Sequence, residues 1–406
     1  MKKKIAIITS GYFPVPPVKG GAVETLVNLL VEENNIKGQV ELTIFSMFDS
    51  NAEKISKSFL NTIFRYVRIP NFIKVLDYMI YLIFRYLLRK KKHMSFRYIA
   101  QRLYFIELVS SMVSKVDYDA IVFQNHPTLL NILRKHDNFK RYNGKFYYHA
   151  HNEISNSFGN FDLLRECKKI ICVSEYIKNN ISHFIGIFNN DRYYVLKNRI
   201  DEQRFRNLDI KKIHEFRRKF LISEDDILFT FTGRLNPEKG VKELLLAFKK
   251  ANLPNSKLII AGGYFFSSNM KSNYERELKK IASEMEDDVI FTGYLDYDSI
   301  PTLYGASDVV VIPSIWNEPG ALTVIECITS GKPLITTFSG GIPEYASSKF
   351  SILYPIDNCL IDNLSDGIKL LASNKKLRDD FSLNAIQESK NWTKEGYYLD
   401  FLKCFE

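Results

Sequence analysis

The chain has 406 residues, of which 46% are hydrophobic and 25% are charged. This composition is typical of globular proteins and excludes disordered and membrane-spanning classes, and the length predicts two domains because it exceeds what one core usually organises. The net charge of +10 favours an anionic partner such as a nucleotide or a lipid surface, but it accompanies no reading motif for nucleic acid. The five scattered cysteines form no zinc pattern and fit reduced thiols.

The first half of the sequence predicts strands that alternate with loops and helices. An apolar strand covers residues 4–10, a Pro- and Gly-rich loop covers 11–21, and a helix follows from about 22 to 34. This order is the phosphate-binding arrangement of doubly wound folds, although the loop lacks the G-x-G-x-x-G fingerprint of dinucleotide binding. Further strands are predicted at 40–47, 120–124, 145–149 and 193–198.

The alternation breaks between residues 59 and 113, where we expect a long, mostly helical region. Its centre, 72–88, is rich in Tyr, Phe, Leu and Ile but carries Lys74, Asp77 and Arg85, which argues against a spanning helix. Four cations follow directly: Arg89, Lys90, Lys91 and Lys92. An apolar aromatic face beside a basic cluster predicts peripheral contact with an anionic membrane. The alternative is a core helix that ends in cations suited to its dipole.

Two histidines lie at the end of the strand predicted at 145–149. His149 and His151 are two residues apart and would face the same way while the strand lasts, although we expect His151 in the following loop. A metal site would need a third ligand, for which only Glu153 is close in sequence.

The second half of the sequence repeats strand, loop and helix regularly. A strand at 227–232 is followed by a loop that carries Arg234 and Lys239 and then by a helix to residue 251. An arginine can fork onto phosphate oxygens and a lysine acts as a point charge, so this loop suits a diphosphate. Further strands are predicted at 257–261, 289–292, 309–312 and 333–337.

The stretch 308–326 combines a buried strand with two carboxylates and a helix start. Glu318 lies in the loop after the strand, and a helix is expected to open at Pro319 and Gly320 and to carry Glu326. The free backbone amides at the start of this helix would form an anion site suited to phosphate. These amides belong to Gly320, Ala321 and Leu322.

Glu318 and Glu326, with seven residues between them, resemble the paired-glutamate motif of retaining glycosyltransferases of family 4, which have the GT-B fold. The resemblance implies an α/β fold of two doubly wound, Rossmann-like domains that face a cleft. Residues 1–200 would bind the acceptor, residues 201–391 would bind the nucleotide-sugar donor, and a helix at 392–406 would cross back to the first domain.

The resemblance also assigns roles to individual residues. Glu318 would bind hydroxyls of the donor sugar, Glu326 the ribose, and His151, with His149 as the fallback, would contact the sugar. The remaining donor-binding positions would be Gly20, Gly21, Arg234, Lys239, Tyr294, Leu295, Gly320, Ala321 and Leu322. Glu24 follows the glycine pair one residue later than in the family. Asp296-Tyr-Asp298 looks like a metal motif of another fold, but Asp296 or Asp298 is better explained as the N-cap of the following helix. We therefore expect no essential metal and no cofactor.

The function implied is retaining transfer of a hexosyl or N-acetylhexosaminyl group from a nucleotide diphosphate-sugar, with UDP expected. The acceptor would be a glycan or a polyprenyl-diphosphate-linked glycan in polysaccharide biosynthesis, at the cytoplasmic face of the cell membrane. Two alternatives stay open: a GT-B enzyme of another chemistry, such as an inverting transferase or a nucleotide-sugar epimerase, and a non-enzymatic sugar-binding protein.

Overall fold

Two compact units make up the chain in the computed structural model, which describes residues 2–87, 98–263 and 273–406. The first unit comprises Met1–Val173, Ile177–Leu196 and Tyr398–Glu406, and the second comprises Ser174–Tyr176 and Lys197–Tyr397.

The first unit is built on a seven-stranded parallel sheet of order β3-β2-β1-β4-β5-β6-β7. Its strands are β1 Lys4–Ile8, β2 Glu41–Met47, β3 Thr62–Val67, β4 Ala120–Gln124, β5 Phe146–Ala150, β6 Lys169–Cys172 and β7 Tyr193–Val195. The helices of this part of the chain are α1 Ala22–Lys37, α2 Ser50–Ser56, α3 Asn71–Leu82, α4 Ile99–Val113, α5 Asn138–Tyr142, α6 Phe161–Glu166 and α7 Glu175–Ile185. The strand order reverses between β1 and β4, which defines the topological switch point of this sheet.

The prediction of a mostly helical region from residue 59 was wrong at its beginning. Residues 62–67 form β3, the edge strand that pairs in parallel with β2. Its sequence, Thr-Ile-Phe-Arg-Tyr-Val, contains β-branched and aromatic residues, but only its two ends are buried. An edge strand of this kind lacks the continuous apolar run by which the central strands are recognised.

The charged residue in the middle of the aromatic segment has a structural role. Asp77 on α3 is only 1% exposed, and its carboxylate accepts hydrogen bonds from the backbone amides of Ala100 (2.7 Å) and Gln101 (3.0 Å). These amides belong to the first turn of α4, where no intrahelical acceptor is available. Asp77 therefore caps α4 from a neighbouring helix and fixes the two helices to each other.

We expect Asp77→Ala to lower the free energy of unfolding of the first unit by about 1–2 kcal/mol, because the substitution leaves two buried amides without an acceptor. Urea unfolding followed by circular dichroism measures this loss. Asp162→Ala is the matched control, since Asp162 is an exposed partner of Arg134 and surface ion pairs contribute at most about 1 kcal/mol. Equal losses in both variants would contradict the capping role.

The opposite side of α3 presents apolar side chains to solvent. The exposed members on α3 are Phe72, Val75, Leu76, Tyr78 and Met79. The basic cluster Arg89 to Lys92, predicted to lie beside this face, falls outside the described residues.

The second unit is built on a six-stranded parallel sheet of order β10-β9-β8-β11-β12-β13. Its strands are β8 Ile227–Thr232, β9 Ser256–Ala261, β10 Val289–Gly293, β11 Val309–Ile312, β12 Leu334–Thr337 and β13 Ser351–Tyr354. The helices of this part of the chain are α8 Glu202–Arg206, α9 Ile210–Lys219, α10 Val241–Ala251, α11 Asn273–Ala282, α12 Ile300–Ala306, α13 Leu322–Thr329, α14 Leu360–Ser373, α15 Lys375–Ser389 and α16 Lys394–Lys403. The two parallel sheets with flanking helices confirm the predicted α/β class.

The helix of the paired-glutamate stretch begins later than predicted. α13 starts at Leu322, after an N-cap at Ala321 whose ψ of 108° is extended. Pro319 and Gly320 therefore belong to the preceding loop, and the prediction that they open the helix was wrong. The backbone of Gly320 is held by the side chain of Asn198, which keeps it out of the helix.

The last residues of the chain pack on the first unit. The Tyr398 hydroxyl donates to Asn34 Oδ1 (2.8 Å), and the Phe405 ring lies edge-on to Tyr147 with centroids 4.9 Å apart. Lys3 donates to the Phe405 carbonyl (2.9 Å). The first unit is thus completed by Tyr398–Glu406, a segment separated from Leu196 by the whole of Lys197–Tyr397.

Candidate active site

The switch point of the second sheet lies between β8 and β11, and the loops that follow these strands carry most of the predicted donor residues. The two loops contact each other, because the Ile315 amide donates to the Glu238 carbonyl (3.0 Å). The contact is tight enough to require glycine at position 240: a Cβ there would lie 1.9 Å from the Pro313 carbonyl oxygen. The sequence-distant residues Lys239 and Glu318 are brought together in this way.

Lys239 and Glu318 form an ion pair between their Nζ and Oε1 atoms. The Ser314 hydroxyl donates to the same oxygen of Glu318 (2.7 Å), and Lys239 Nζ lies 5.6 Å from the centre of the Trp316 ring. Glu318 is 5% exposed, so its charge depends on these partners. Lys239 and Glu318, for which separate roles were predicted, thus belong to one polar cluster.

The backbone of Glu318 is fixed by the segment 339–341. Its amide donates to Ser339 Oγ (3.2 Å), and its carbonyl accepts from the Gly341 amide (2.6 Å). Gly340 has φ +52°, and a Cβ on it would lie 2.4 Å from the Glu318 carbonyl oxygen. Only glycine meets both conditions, since other residues rarely adopt this φ and none lacks the Cβ.

We expect Gly340→Ala to destabilise the second unit by more than the roughly 1–2 kcal/mol that a left-handed alanine costs, because Glu318 must also move. Urea unfolding followed by tryptophan fluorescence measures this unit alone, since the only two tryptophans, Trp316 and Trp392, both lie in it. Gly293→Ala is the control, because Gly293 has φ +71° and a Cβ added to it would meet nothing within 4 Å. A loss no larger than that of the control would contradict the proposed contact.

Gly320 lies against two polar side chains. Asn198 Nδ2 donates to the Gly320 carbonyl (3.0 Å), and a Cβ at this glycine would lie 2.9 Å from the Tyr345 hydroxyl. Since Gly320 and Ala321 precede the helix, the amides of the first turn of α13 begin with Leu322. The predicted phosphate cradle of Gly320, Ala321 and Leu322 is therefore part loop and part helix start.

Glu326 is buried on α13 between two tyrosines. The Tyr304 hydroxyl donates to Glu326 Oε2 (3.3 Å), and the Tyr297 hydroxyl donates to the same carboxyl group. Burial raises the pKa of Glu326 to about 7, although the two tyrosines oppose the rise. A carboxyl group in this setting exchanges between two protonation states near neutral pH, and it is positioned for hydrogen bonds with hydroxyl groups.

The other donor residues predicted in the second unit lie at the same edge of its sheet. Arg234 is exposed, and its side chain forms no hydrogen bond or ion pair with any described residue. Tyr294 and Leu295 follow β10, two strands from β8, and the Tyr294 ring is partly exposed. Asp296 is the N-cap residue of a 3-10 turn, in agreement with the predicted N-cap, although its side chain forms no cap hydrogen bond.

The two histidines lie in the first unit and are both buried. His149 is in β5, and neither of its ring nitrogens has a hydrogen-bond partner among the described residues. His151 follows the strand, and its Nε2 donates to Gln124 Oε1 (2.8 Å). The rings are 4.0 Å apart, and burial lowers the pKa of His151 to about 3 and that of His149 well below its usual value. Both histidines are therefore neutral at physiological pH.

The glycine pair after β1 lies at the start of α1. Gly21 is the N-cap residue with φ 109°, and a Cβ on it would lie 2.3 Å from Glu24 Oε2. Glu24 is 3% exposed and accepts from the Ser10 hydroxyl (2.8 Å), and burial raises its pKa. Gly20 also has positive φ. The carboxylate of Glu24 thus faces the glycine loop itself.

Several residues of the site could not be selected from the sequence. Ser314, Ser339, Tyr297 and Tyr304 hold Glu318 and Glu326 in place, but each is of a common type in a segment without a special spacing. Only the position of Ser314 directly after a buried strand offered a signal. Among the residues that the structure describes, no three His, Cys, Asp or Glu side chains could hold a metal ion.

Comparisons with known proteins relate the chain to glycosyltransferases. Residues 212–388 match the family model described as Glycosyl transferases group 1. The chain is 27% identical over 354 residues to the putative glycosyltransferase YtcC of Bacillus subtilis, covering 84% of this chain and 76% of the relative. It is 26% identical over 358 residues to spore coat protein SA of the same organism, covering 84% and 82%.

Solved structures show the same fold at low identity. A glycosyltransferase from Rickettsia africae has a TM-score of 0.75 at 17% identity, covering all of this chain and 98% of that one. Anabaena Alr3699/HepE, solved in complex with UDP, has a TM-score of 0.72 at 18% identity, with 98% of each chain covered. The fold is therefore GT-B. The family match of residues 212–388 and the similarity to YtcC, rather than these structures, support the class of glycosyltransferase. The matched segment, 212–388, contains the whole cluster around Lys239 and Glu318.

Proposed function

We propose that this glycosyltransferase transfers a hexosyl or N-acetylhexosaminyl group from a UDP-sugar with retention of the anomeric configuration, and without a metal ion. The observation that carries the proposal is the cluster of Lys239, Glu318 and Ser314 at the switch point of the second unit. The loop that supplies Lys239 also carries the exposed Arg234. A UDP complex of Anabaena Alr3699/HepE, which has the same fold, supports the choice of nucleotide.

The ion pair of Lys239 and Glu318 suits a site in which both side chains change partners when the donor binds. Without donor, each charge compensates the other in a place that is mostly closed to water. When a diphosphate enters, Lys239 and Arg234 neutralise its charge, and Glu318 is released to accept hydrogen bonds from sugar hydroxyls. The cations then stabilise the charge that develops on the leaving diphosphate as the sugar bond breaks. The leaving phosphate takes the proton of the attacking acceptor hydroxyl, as the resemblance to family 4 implies.

Glu326 and the first amides of α13 complete the donor site in this proposal. Glu326 accepts from the ribose hydroxyls, the amides beginning at Leu322 contact the phosphates, and the backbone at Tyr294 and Leu295 contacts the base. His151 is proposed to contact the sugar as an uncharged donor or acceptor, since burial keeps it neutral.

Two measurements test the donor and the stereochemistry. A thermal-shift screen of nucleoside diphosphates and their sugar conjugates should show the largest stabilisation with UDP compounds. NMR of the product anomer should then show retention. An inverted anomer would favour an inverting transferase, while binding of free sugar without any nucleotide would favour a sugar-binding protein.

The acceptor in this proposal is a glycan, free or linked to a polyprenyl diphosphate, in polysaccharide biosynthesis. A relative in Salmonella typhimurium is named lipopolysaccharide 1,2-N-acetylglucosaminetransferase and is 27% identical over 195 residues, covering 43% of this chain and 51% of the relative. A lipid-linked acceptor also agrees with the exposed apolar face of α3 and with the basic cluster that follows it in sequence. None of the helices in the part of the chain that the structure describes could span a bilayer.

For the membrane contact, we expect replacement of Arg89, Lys90, Lys91 and Lys92 by glutamine to weaken binding to anionic liposomes at least about 100-fold. Each cation near an anionic surface contributes about 1 kcal/mol. Cosedimentation with liposomes measures the loss. The matched control removes four exposed cations of the second unit, Lys211, Lys212, Lys375 and Lys376. Unchanged binding of the first variant would rule out this membrane contact.

A further inference from the structure

The first unit contains a buried arginine that forms no ion pair with any residue the structure describes. Arg102 on α4 is 6% exposed, and its Nη1 donates to Thr128 Oγ1 (3.1 Å). Its guanidinium carbon lies 4.1 Å from the centre of the Tyr12 ring. Its Nε and Nη2 have no hydrogen-bond partner among the described residues. Arginine stays protonated in proteins, and buried charges are normally paired, so this position calls for an anion.

No carboxylate of the described chain supplies that anion. Arg102 forms no ion pair with any described residue, and burial lowers its pKa with only Tyr12 opposing. The two internal stretches outside the described residues, 88–97 and 264–272, contain no Asp or Glu at all. The missing negative charge is therefore not provided by an acidic residue of these segments.

Arg102 lies at the switch point of the first sheet, where open α/β sheets bind their ligands. Tyr12 is in the loop after β1, and Thr128 follows β4, the neighbouring strand at which the order reverses. α4 packs directly on the loop after β1, since a Cβ on Gly11 would lie 3.0 Å from the Phe105 ring. The second unit has its own cluster at the corresponding place of its sheet, between β8 and β11.

The hydrogen bonds around Arg102 leave only N–H donor groups available to a ligand. The Thr128 amide donates to His126 Nδ1 (3.3 Å), so this nitrogen is an acceptor. The Thr128 hydroxyl, which accepts from Arg102, therefore donates to the same nitrogen (2.8 Å). A neutral imidazole that accepts at Nδ1 carries its proton on Nε2. Burial and the nearby Arg102 lower the pKa of His126 to about 4, which keeps the ring neutral. In this series of hydrogen bonds, the groups that remain available to a ligand are thus the N–H groups of Arg102 and His126.

We propose that Arg102, Tyr12 and His126 form a binding site for a phosphate group carried by the acceptor substrate. The Nε and Nη2 atoms form one edge of the guanidinium, which matches two oxygens of a phosphate. His126 Nε2 supplies a further N–H, and Tyr12, 46% exposed, is the member of the site in contact with solvent. This inference rests on the proposed function only for the identity of the molecule that carries the phosphate.

The test uses the resonances of His126 in the full chain, because pyrophosphate would also bind the donor site and would confuse a thermal shift. In 1H–13C spectra of protein with labelled histidine, the His126 signal is assigned by comparison with His126→Gln. Titration with inorganic pyrophosphate should move this signal in a saturable way. A His126 signal that does not move in the wild-type protein overturns the proposal.

Two arginine variants give the second readout. Arg102→Met should raise the melting temperature of the ligand-free protein, because it removes an unpaired buried charge, and should weaken the pyrophosphate effect on His126 roughly 10- to 100-fold. Arg141→Met, which removes an exposed arginine of the same unit that pairs with Asp117, is the control and should keep that effect. If Arg102 had only a structural role, Arg102→Met would instead lower the melting temperature, and pyrophosphate would not move the His126 signal of the wild-type protein.

A second ligand distinguishes between the possible sources of the phosphate. Farnesyl diphosphate should bind more tightly than inorganic pyrophosphate if the phosphate belongs to a lipid-linked acceptor, and equally well if the site takes free phosphate. Both outcomes support an anion site. Binding of UDP is measured in parallel, by the fluorescence of Trp316 and Trp392 in the second unit, so that failure of the donor proposal is seen independently of His126.

Discussion

Replacement of Lys239 by methionine is expected to lower kcat with the accepted UDP-sugar by roughly 10²- to 10³-fold, the effect of removing one preorganised donor at a developing negative charge. The same substitution removes the ion-pair partner of Glu318, which is 5% exposed and then keeps only the Ser314 hydroxyl. We therefore also expect the free energy of unfolding of the second unit to fall by about 3 kcal/mol.

The double variant Lys239→Met, Glu318→Gln separates the two effects. Glutamine has no charge to compensate, so the double variant should recover stability while its activity stays low. Fluorescence-monitored urea unfolding and initial rates measure the two quantities. Lys250→Met is the matched control, because Lys250 pairs with Asp362 on the surface of the same unit. If the double variant regained both stability and activity, Lys239 would have a structural role only.

The order of strands and helices follows closely from the apolar runs of the sequence. Strands β1, β8 and β11 are short, buried and rich in β-branched residues, and each was predicted near its observed bounds. β3 was missed because it is an edge strand with a half-exposed middle. The start of α13 was misplaced because the backbone of Gly320 is held by Asn198, a contact across 122 residues that no local pattern reveals.

The candidate site was partly predictable for a physical reason. Carboxyl ends of adjacent parallel strands meet at one edge, so the residues after β8 and β11 could be placed together from the strand pattern alone. The sequence could not show which side chains form pairs with each other at that edge. Lys239 and Glu318 were assigned to phosphate and to sugar, and the structure shows them bound to each other. Side-chain partners across loops depend on tertiary contacts such as that of Gly240 with Pro313.

Arg102 was overlooked for a similar reason. It lies in a long region that the sequence marked only as helical and aromatic, and an isolated arginine in a helix is usually a surface residue. Its importance comes from burial without a counter-ion, which is a tertiary property. Both sheets thus bring cationic groups to the point where the strand order reverses. The diphosphate donor and the phosphate-bearing acceptor that we propose would each need such a group.

The second large effect concerns Glu326, whose pKa burial raises to about 7 from its ordinary 4.5. Because the folded state binds this proton more tightly than the unfolded state, the contribution to stability is full below pH 4.5 and is lost as the pH rises towards 7. A shift of this size corresponds to about 3 kcal/mol. Glutamine at this position cannot ionise, so Glu326→Gln should gain up to this amount relative to wild type between about pH 5 and pH 8.

Urea unfolding of both proteins, followed by the fluorescence of Trp316 and Trp392, measures this difference in the second unit, and groups that titrate in both proteins cancel. A buried carboxyl group with a raised pKa costs stability at neutral pH, and the proposed contact with the donor gives it a function that offsets this cost. We expect Glu326→Gln to weaken binding of a UDP-sugar roughly 10- to 100-fold at pH 8, since hydrogen bonds from ribose hydroxyls to a carboxylate are stronger than those to an amide. At pH 5, where the wild-type carboxyl is protonated, the two affinities should converge. A variant that is more stable at pH 8 and binds the donor as well as wild type would remove Glu326 from the donor site.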